Sequence, residues 1–224
     1  MKKIVNFNDS ANLYVVLGSV GSGKTHLVLG HKGKKLVISF DSSYSTLVGH
    51  ESEVTVVEPE LSDYNNADAF IDEIDKIANN FDLVVFDNVS ALETSLVNAI
   101  TDGKFGSNTD GRAAYGVVQK LMAKFANWAI HFDGNVLFTL WSLVTEEGKE
   151  IPAMNMKAFN CVAGYAKLVS RTEVGFDGYT VVVNPDGRGV IKNRLADKIK
   201  KQSIKNDDYW KAVEFAKGSS HADA

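Results

Sequence analysis

The chain has 224 residues and a formal net charge of −4 at pH 7, and 45% of its residues are hydrophobic. This length suits one large α/β domain with or without a short tail, and the composition is that of an ordinary globular protein. The single cysteine excludes an internal disulfide and a metal site built from cysteines alone. The sequence has no secretory signal pattern and no apolar run as long as a membrane span, which predicts a cytoplasmic protein with no membrane partner.

Charge is distributed unevenly along this acidic chain. Residues 51–93 contain twelve acidic residues and one basic residue, whereas residues 192–205 contain six basic residues and one acidic residue. The overall negative charge excludes a basic surface that covers the whole protein. The basic stretch is compatible with local binding of a polyanion or with a solvated surface, and the sequence leaves both open.

Apolar runs and helical periodicities alternate through the first two thirds of the chain. Strands that alternate with helices form parallel sheets, so this pattern predicts an α/β fold with a mostly parallel sheet flanked by helices. The predicted strands are Leu13–Leu17, Lys35–Phe40, Val54–Val57, Leu83–Phe86 and Asn135–Leu140. The predicted helices are Asn66–Asn79, Ser90–Ile100 and Arg112–Ile130.

Two long segments lack a regular pattern. Thr101–Gly111 is rich in glycine, serine, asparagine and aspartate, which predicts a mobile loop. Val144–Asn160 is rich in charged residues and methionine, and we expect a second irregular segment there.

The last third of the chain changes character. Gly175–Gly178 lies between two predicted strands, Tyr165–Val174 and Tyr179–Val183, which predicts an antiparallel hairpin at the edge of the sheet. We therefore predict a core of residues 1–205 and a short helical or frayed C-terminal tail of residues 206–224.

A glycine-rich motif directly follows the first predicted strand and fits the pattern G-x-x-x-x-G-K-[ST]. Glycines let backbone N–H groups surround a polyphosphate, and a helix after the loop would direct its positive end at the same oxygens. The lysine reaches the β- and γ-phosphates, and the hydroxyl can bind Mg²⁺. The motif therefore predicts a nucleotide site for ATP and Mg²⁺. Its residues are Gly18, Ser19, Val20, Gly21, Ser22, Gly23, Lys24 and Thr25.

A carboxylate ends the most apolar predicted strand. Asp87 directly follows Leu83–Phe86. A carboxylate beside a phosphate loop commonly holds Mg²⁺ through water, and the alternative is an aspartate that caps the turn after the strand. Thr25 and Asp87 are therefore the predicted Mg²⁺ ligands.

The amino-acid sequence around this carboxylate resembles that of a known family. Residues 84–92, Val-Val-Phe-Asp-Asn-Val-Ser-Ala-Leu, resemble the metal-binding strand of RecA-like recombinases. The resemblance continues in order through residues 112–130, 135–140 and 158–168 to the basic strand at residues 190–194. It implies a RecA-like P-loop core, similar in kind to the small core-only phage nucleotide-binding and single-strand annealing recombinases.

The resemblance also implies catalytic roles for Lys24, Asp41, Lys192 and Arg194. The family places a catalytic glutamate where Asp41 follows the second predicted strand, although a turn cap is the alternative. Lys192 and Arg194 would reach the γ-phosphate bound by a neighbouring subunit, which implies a ring or filament with ATP between subunits. The chain departs from the family at Trp141, which stands near the place of a phosphate-sensing glutamine.

The function implied by the resemblance is a DNA-stimulated ATPase that binds single-stranded DNA and promotes annealing or recombination, in the bacterial host cytoplasm if the protein is phage-encoded. The two predicted loops supply Lys104, Phe105, Lys149 and Lys157 as candidate DNA contacts. One alternative is a RecA-fold replication motor or helicase-loader-like ATPase that acts through a phage or host replication protein. Another is a small-molecule kinase, although such kinases usually carry an arginine-rich lid and the four arginines here are scattered.

Overall fold

The computed structural model describes residues 12–106 and 110–218. Three segments lie outside the described residues. They are residues 1–11 of the predicted core, residues 107–109 in the middle of the predicted loop Thr101–Gly111, and residues 219–224 of the predicted C-terminal tail.

Apart from the helix expected after the phosphate loop, the predicted strands and helices of the first two thirds are present, with shifts at their ends. The strands are β1 (Leu13–Gly18), β2 (Lys35–Ser39), β3 (Val54–Val57), β4 (Leu83–Asp87), β5 (Asn135–Val144), β6 (Glu150–Pro152), β7 (Leu168–Gly175), β8 (Gly178–Val182), β9 (Lys192–Asn193) and β10 (Ser203–Lys205). The α-helices are α1 (Ala67–Ala78), α2 (Val89–Thr101), α3 (Gly111–Ala129), α4 (Met156–Ala163) and α5 (Tyr209–Gly218). Short 3-10 helices cover Thr25–Val28, Ser45–Leu47, Leu61–Asn65 and Asn206–Asp208. Across residues 12–106 and 110–218, no helix combines the length and the apolar character that crossing a membrane requires.

One sheet organises the described part of the chain. Its strand order is β10-β8-β7-β1-β5-β4-β2-β3, with β6 paired to β5 and β9 paired to β7. The strands from β7 to β3 in this order are parallel, whereas β8 and β10 are antiparallel additions at the β7 edge. This topology confirms the predicted α/β class and its antiparallel edge. Since β5 lies between β1 and β4, the ends of these three strands meet at one edge of the sheet.

Both faces of the sheet are covered. Successive residues of a strand point to opposite faces, and the central parallel strands are apolar on both. Val15 of β1 therefore packs in one core with α1, α2, α3 and α4. Its neighbour Val16 packs in a second core with the 3-10 helix Thr25–Val28 and with α5.

An asparagine or aspartate side chain begins each of the four helices on the first face. Asn66, Asn88, Asp110 and Asn155 accept hydrogen bonds from backbone N–H groups in the first turns of α1, α2, α3 and α4. These side chains satisfy donors that the helix itself leaves unpaired. Asn88 directly follows β4, so the cap of α2 also fixes where that strand ends.

The expectation of an irregular segment at Val144–Asn160 was wrong. Strand β5 runs on to Val144 and pairs with β6 as a hairpin, and α4 follows. Glu150 of β6 is ion-paired with Arg171 of the distant strand β7, at 3.0 Å between Oε2 and Nε, and this contact connects the hairpin to the main sheet. Arg171 is only 1% exposed, and Glu173 and Asp186 complete its pairing. One charge of this segment, that of Glu150, is thus paired with a buried guanidinium.

The helix expected after the phosphate loop is also different in the structure. Thr25–Val28 forms only a 3-10 helix of four residues, which gives little helix dipole. Helix α5 packs against this segment, and Trp210 Nε1 donates a 2.8 Å hydrogen bond to the Leu27 carbonyl oxygen. The predicted C-terminal tail is therefore helical over Tyr209–Gly218, and its apolar side chains belong to the second core.

Candidate nucleotide-binding site

A cavity of about 510 Å³ opens beside the carboxyl ends of β1, β2, β4 and β5. Open α/β sheets bind their ligands at this edge. The predicted phosphate-loop residues from Val20 to Thr25 line the cavity, together with Asp41, Asp87 and Trp141. Gly18 and Ser19, the remaining residues of the motif, connect β1 to this lining.

The glycines of the motif stand where a side chain would clash or where the backbone has a positive φ angle. A Cβ on Gly18 would overlap the hydroxyl oxygens of Ser22 and Thr172, which lie 2.6 Å apart in a hydrogen bond. Gly21 and Gly23 have φ angles of +73° and +87°, a region that residues with a side chain rarely adopt. The hydrogen bond between Ser22 and Thr172 thus connects the loop to the neighbouring strand β7.

Lys24 lies inside the loop. Its Nζ donates hydrogen bonds to the carbonyl oxygens of Gly18 at 2.9 Å and Ser19 at 2.7 Å, and the residue is 7% exposed. Burial lowers the pKa of the Lys24 ammonium group, and the nearby Asp87 carboxylate opposes that shift. A largely buried cation with only neutral carbonyl partners favours an anionic ligand such as a phosphate.

Asp87 of β4 contacts the end of the phosphate loop and strand β5 through its two carboxylate oxygens. Its Oδ2 accepts a 2.8 Å hydrogen bond from Thr25 Oγ1, and its Oδ1 accepts one from Thr139 Oγ1 of β5. The residue is 2% exposed, and burial raises the pKa of its carboxyl group while the two hydroxyl donors oppose this shift. The structure therefore brings together Thr25 and Asp87, the two predicted Mg²⁺ ligands.

The donor set at this end of the cavity fits Mg²⁺ and a triphosphate. Hydroxyl and carboxylate oxygens are the protein ligands that Mg²⁺ prefers, and phosphate oxygens and water complete its octahedron. The Asn88 side chain also lines the cavity, and its buried Nδ2 has no hydrogen-bond partner among the described residues. A buried amide without a partner is costly, and a phosphate or water oxygen would satisfy it.

Asp41 has a place in the cavity and a role in the backbone. It lines the cavity after β2, and the preceding residue, Phe40, donates its backbone N–H to the Asp87 carbonyl oxygen at 2.6 Å. Asp41 Oδ1 also accepts hydrogen bonds from the backbone N–H and the hydroxyl of Ser43. The two hydrogen bonds to Oδ1 support the turn-capping hypothesis. The place of Asp41 on the cavity supports the catalytic hypothesis, because the turn does not use its Oδ2.

Lys192 and Arg194 do not line the cavity of their own chain. Lys192 Nζ donates to the carbonyl oxygens of Ala163 and Gly164 at 2.8 Å each, and an Arg194 Nη2 donates to Gly164 at 3.0 Å. They therefore cap the carboxyl end of α4, where cations are favoured. Burial lowers the pKa of Lys192, and the neighbouring charge of Arg194 adds to that shift.

The four candidate DNA contacts belong to different elements. Lys104 is exposed in the turn after α2, whereas Phe105 is partly buried against the first core. Lys149 lies in the turn between β5 and β6 and is ion-paired with Glu147 at 2.9 Å. Lys157 is exposed in the first turn of α4.

Sequence analysis missed contacts from the C-terminal segment to the phosphate loop. Asn206, which is 3% exposed, donates from Nδ2 to the Gly23 carbonyl oxygen at 3.0 Å. Asp207 Oδ1 lies 3.3 Å from His26 Nε2. The Tyr179 ring lies so close to Gly23 that a Cβ there would meet it at 2.9 Å. No motif links these residues to a nucleotide site, and only their place in the sheet reveals the contact.

The chain is similar to one family of proteins and, in fold, to solved structures. A family model described as an AAA domain matches residues 10–195. No curated protein matches the chain in sequence. Among solved structures, the KaiC-like protein PH0186 from the hyperthermophilic archaeon Pyrococcus horikoshii OT3 is similar, with a TM-score of 0.46 and 12% sequence identity. That similarity covers 82% of this chain and 83% of the other.

Proposed function

The chain belongs to the AAA domain family and is a P-loop ATPase, and we propose that it hydrolyses ATP with Mg²⁺ in the cavity between the phosphate loop and Asp87. The observation that carries this proposal is the hydrogen bond from Thr25 to Asp87, beside the buried Lys24. One cation, one carboxylate and one hydroxyl lie together here, and these are the groups that bind a triphosphate and its metal, which supports the proposal.

Each residue has a distinct task in this proposal. Lys24 exchanges the carbonyl oxygens of Gly18 and Ser19 for phosphate oxygens, which stabilises the negative charge of the triphosphate. Thr139 holds Asp87 through Oδ1, so that Oδ2 stays directed at Thr25. Mg²⁺, when bound, neutralises charge on the phosphate oxygens. Asp41, on the same cavity, orients the attacking water and accepts its proton.

The proposal extends to single-stranded DNA as the partner, with annealing or recombination of the kind that phage recombinases perform. The resemblance of residues 84–92 and 190–194 to RecA-like recombinases supports it. The exposed Lys104 and Lys157 support it as well, because a phosphate backbone is held by such cations.

The same proposal includes a homo-oligomer, either a ring or a filament. Lys192 and Arg194 lie outside the cavity of their own chain, at the carboxyl end of α4. Cationic side chains at the carboxyl end of α4 can bind the γ-phosphate held by a neighbouring subunit only if copies of the chain assemble with the nucleotide between them.

ATP turnover with and without single-stranded DNA tests the proposal. We expect Mg²⁺-dependent hydrolysis in the wild type and a loss of about 100-fold or more in Lys24→Ala. Lys32→Ala is the matched control, because Lys32 is exposed and does not line the cavity. DNA is expected to raise turnover, and Lys104→Ala with Lys149→Ala and Lys157→Ala is expected to weaken that effect.

The two parts of the proposal can fail separately. A wild type that does not turn over ATP in either condition contradicts hydrolysis. Turnover that is identical with and without DNA, in a protein that also binds no DNA at low salt, contradicts the DNA function and leaves the ATPase in place.

A further inference from the structure

A groove lined by lysines runs between α5 and the segment before it, and we call it the lysine groove. Its volume is about 530 Å³. Five lysines and one aspartate line it, and four of the lysines belong to the basic stretch 192–205, whose role the sequence left open. The lysines are Lys198, Lys200, Lys201, Lys205 and Lys211.

The charge of the lysine groove is strongly positive. All five lysines are exposed at its rim. Its one carboxylate, Asp208, is ion-paired with Lys211 at 2.9 Å, and this contact lowers the pKa of Asp208. Lys200, Lys201 and Lys205 line the groove beside this pair, and the described lining residues include no second carboxylate, on a protein whose net charge is −4. A local field of this sign attracts polyanions.

The lining also offers apolar surface. Ile199 and Ile204 are 5% and 7% exposed and form its floor, and Ala212 contributes from α5. Phe215, one helical turn further, is 70% exposed. A large aromatic ring that is mostly exposed beside clustered cations matches the surfaces on which unpaired bases stack while lysines hold the phosphates. Duplex DNA hides its bases, so the ring favours a single strand.

We propose that the lysine groove is a binding surface for single-stranded nucleic acid. The inference rests on the proposed DNA function and deepens it, because it adds a binding surface in the C-terminal segment to the contacts proposed for the loops that carry Lys104 and Lys149. The lysines hold successive phosphates, and Phe215 stacks on a base.

The groove adjoins the nucleotide site through a few residues. Lys205 lines the groove, and the next residue, Asn206, donates to the Gly23 carbonyl oxygen of the phosphate loop. Asp207 contacts His26, and Asp208 lies in the groove again. A strand of nucleic acid bound here therefore touches the segment that supports the phosphate loop, which gives DNA a short physical route to the ATPase site.

Equilibrium binding of a labelled oligothymidylate to the full chain, measured over a range of salt concentrations, tests the proposal. The groove variant carries Lys200→Ala, Lys201→Ala and Lys205→Ala. The control variant carries Lys32→Ala, Lys76→Ala and Lys120→Ala, which changes the net charge by the same amount at exposed positions outside the groove. We expect the groove variant to bind at least ~10-fold more weakly at low salt, with a salt slope lower by about 2, because each lysine on single strands contributes about 0.7. The control variant should bind like the wild type.

A second variant tests the base contact without changing charge. Phe215→Ala removes an exposed ring, and we expect about 5-fold or greater weakening for single strands and little change for duplex DNA. ATP turnover without DNA should be unchanged in both the groove variant and Phe215→Ala, which also reports that they are folded.

Three results would overturn the proposal, and each differs from a failure of the ATPase. The groove variant could bind DNA as well as the wild type, which would leave the DNA contact to the loops alone. The two triple variants could lose equal affinity, which would reduce the effect to net charge. Polyglutamate could displace DNA at equal monomer concentration, which would assign the groove to an acidic protein partner.

Discussion

Thr25 Oγ1 donates a 2.8 Å hydrogen bond to Asp87 Oδ2 and so joins two residues that lie 62 positions apart in the chain. The bond connects the end of the phosphate loop to the end of β4. Thr139 Oγ1 from the intervening strand β5 donates to the other oxygen of the same carboxylate. These two hydrogen bonds therefore connect the phosphate loop, β4 and β5 at the point where the nucleotide is expected.

Replacement of Asp87 by asparagine separates function from stability. We expect Asp87→Asn to reduce ATP hydrolysis by about 100-fold or more, since the carboxylate is lost as a metal ligand. The melting temperature without ligand should stay the same or rise, because burial raises the pKa of Asp87 and thus disfavours its charged form. Initial rates and thermal melts of the same preparations measure both effects. A melting temperature well below that of the wild type would mean that Asp87 is mainly structural.

Asp41 can be tested for its two roles with two substitutions. Asp41→Asn keeps an oxygen that can accept from the Ser43 backbone N–H, whereas Asp41→Ala does not. We expect both to reduce kcat by about 100-fold, since neither side chain can take a proton from water, and only Asp41→Ala to lower the melting temperature. If Asp41→Asn hydrolyses ATP at the wild-type rate, Asp41 serves only as a turn cap.

A mixing experiment tests whether Lys192 acts on a neighbouring subunit. Lys24→Ala and Lys192→Ala should each be inactive alone, and an equimolar mixture should regain about a quarter of wild-type turnover if a ring or filament forms. The gain comes from interfaces in which an intact phosphate loop meets an intact Lys192. Because Lys192 Nζ also holds the Ala163 and Gly164 carbonyl oxygens, Lys192→Arg controls for the loss of that cap. A mixture as inactive as its parts contradicts catalysis between subunits.

His31 makes the fold sensitive to acid. Its Nε2 lies 2.8 Å from Asn135 Nδ2, its ring packs edge-on to Trp210 at 4.8 Å between centroids, and burial lowers its pKa to about 4. Between about pH 4 and pH 6.5 the unfolded chain binds a proton at this residue and the folded chain does not, so the free energy of unfolding falls as the pH falls. The loss at pH 5 relative to pH 8 is about 2 kcal/mol.

Chemical denaturation at pH 5 and pH 8 measures this effect. His31→Gln keeps an acceptor for Asn135 but does not titrate, so its stability should change less between the two pH values than that of the wild type. His50→Gln is the control, because His50 is exposed. Equal pH dependence in wild type and His31→Gln would show that other groups dominate.

Asn206 should position the phosphate loop, although it touches no reacting atom. Asn206→Ala removes the donor to the Gly23 carbonyl oxygen, and Asn206→Asp replaces it with a carboxylate that repels that oxygen. We expect nucleotide affinity to fall about 5-fold in Asn206→Ala and further in Asn206→Asp, with kcat at saturating ATP nearly unchanged. Titration with a fluorescent ADP analogue and steady-state kinetics separate these quantities. Asp208→Asn, at the exposed end of the same segment, is the control.

The sequence was sufficient for the features that depend on neighbouring residues. The phosphate loop is recognisable because its glycines stand where the backbone turns, as the positive φ angles of Gly21 and Gly23 show. Asp87 was predictable because it ends an apolar strand, and the order of strands and helices followed from hydrophobic periodicity. These signals are local, since each residue type fits the conformation of its own segment.

Tertiary structure decided the features that depend on which strands are neighbours. The segment Val144–Asn160 contributes to a hairpin and a helix, and Glu150 in this segment forms an ion pair with Arg171 of β7. No sequence pattern predicts that ion pair. The helix after the phosphate loop is short, and α5 supports it through Trp210 instead. Asn206 reaches Gly23 because β10 is added beyond β8 at the edge of the sheet. A contact across 183 residues depends on the order of the strands in space, and short-range propensity does not encode that order.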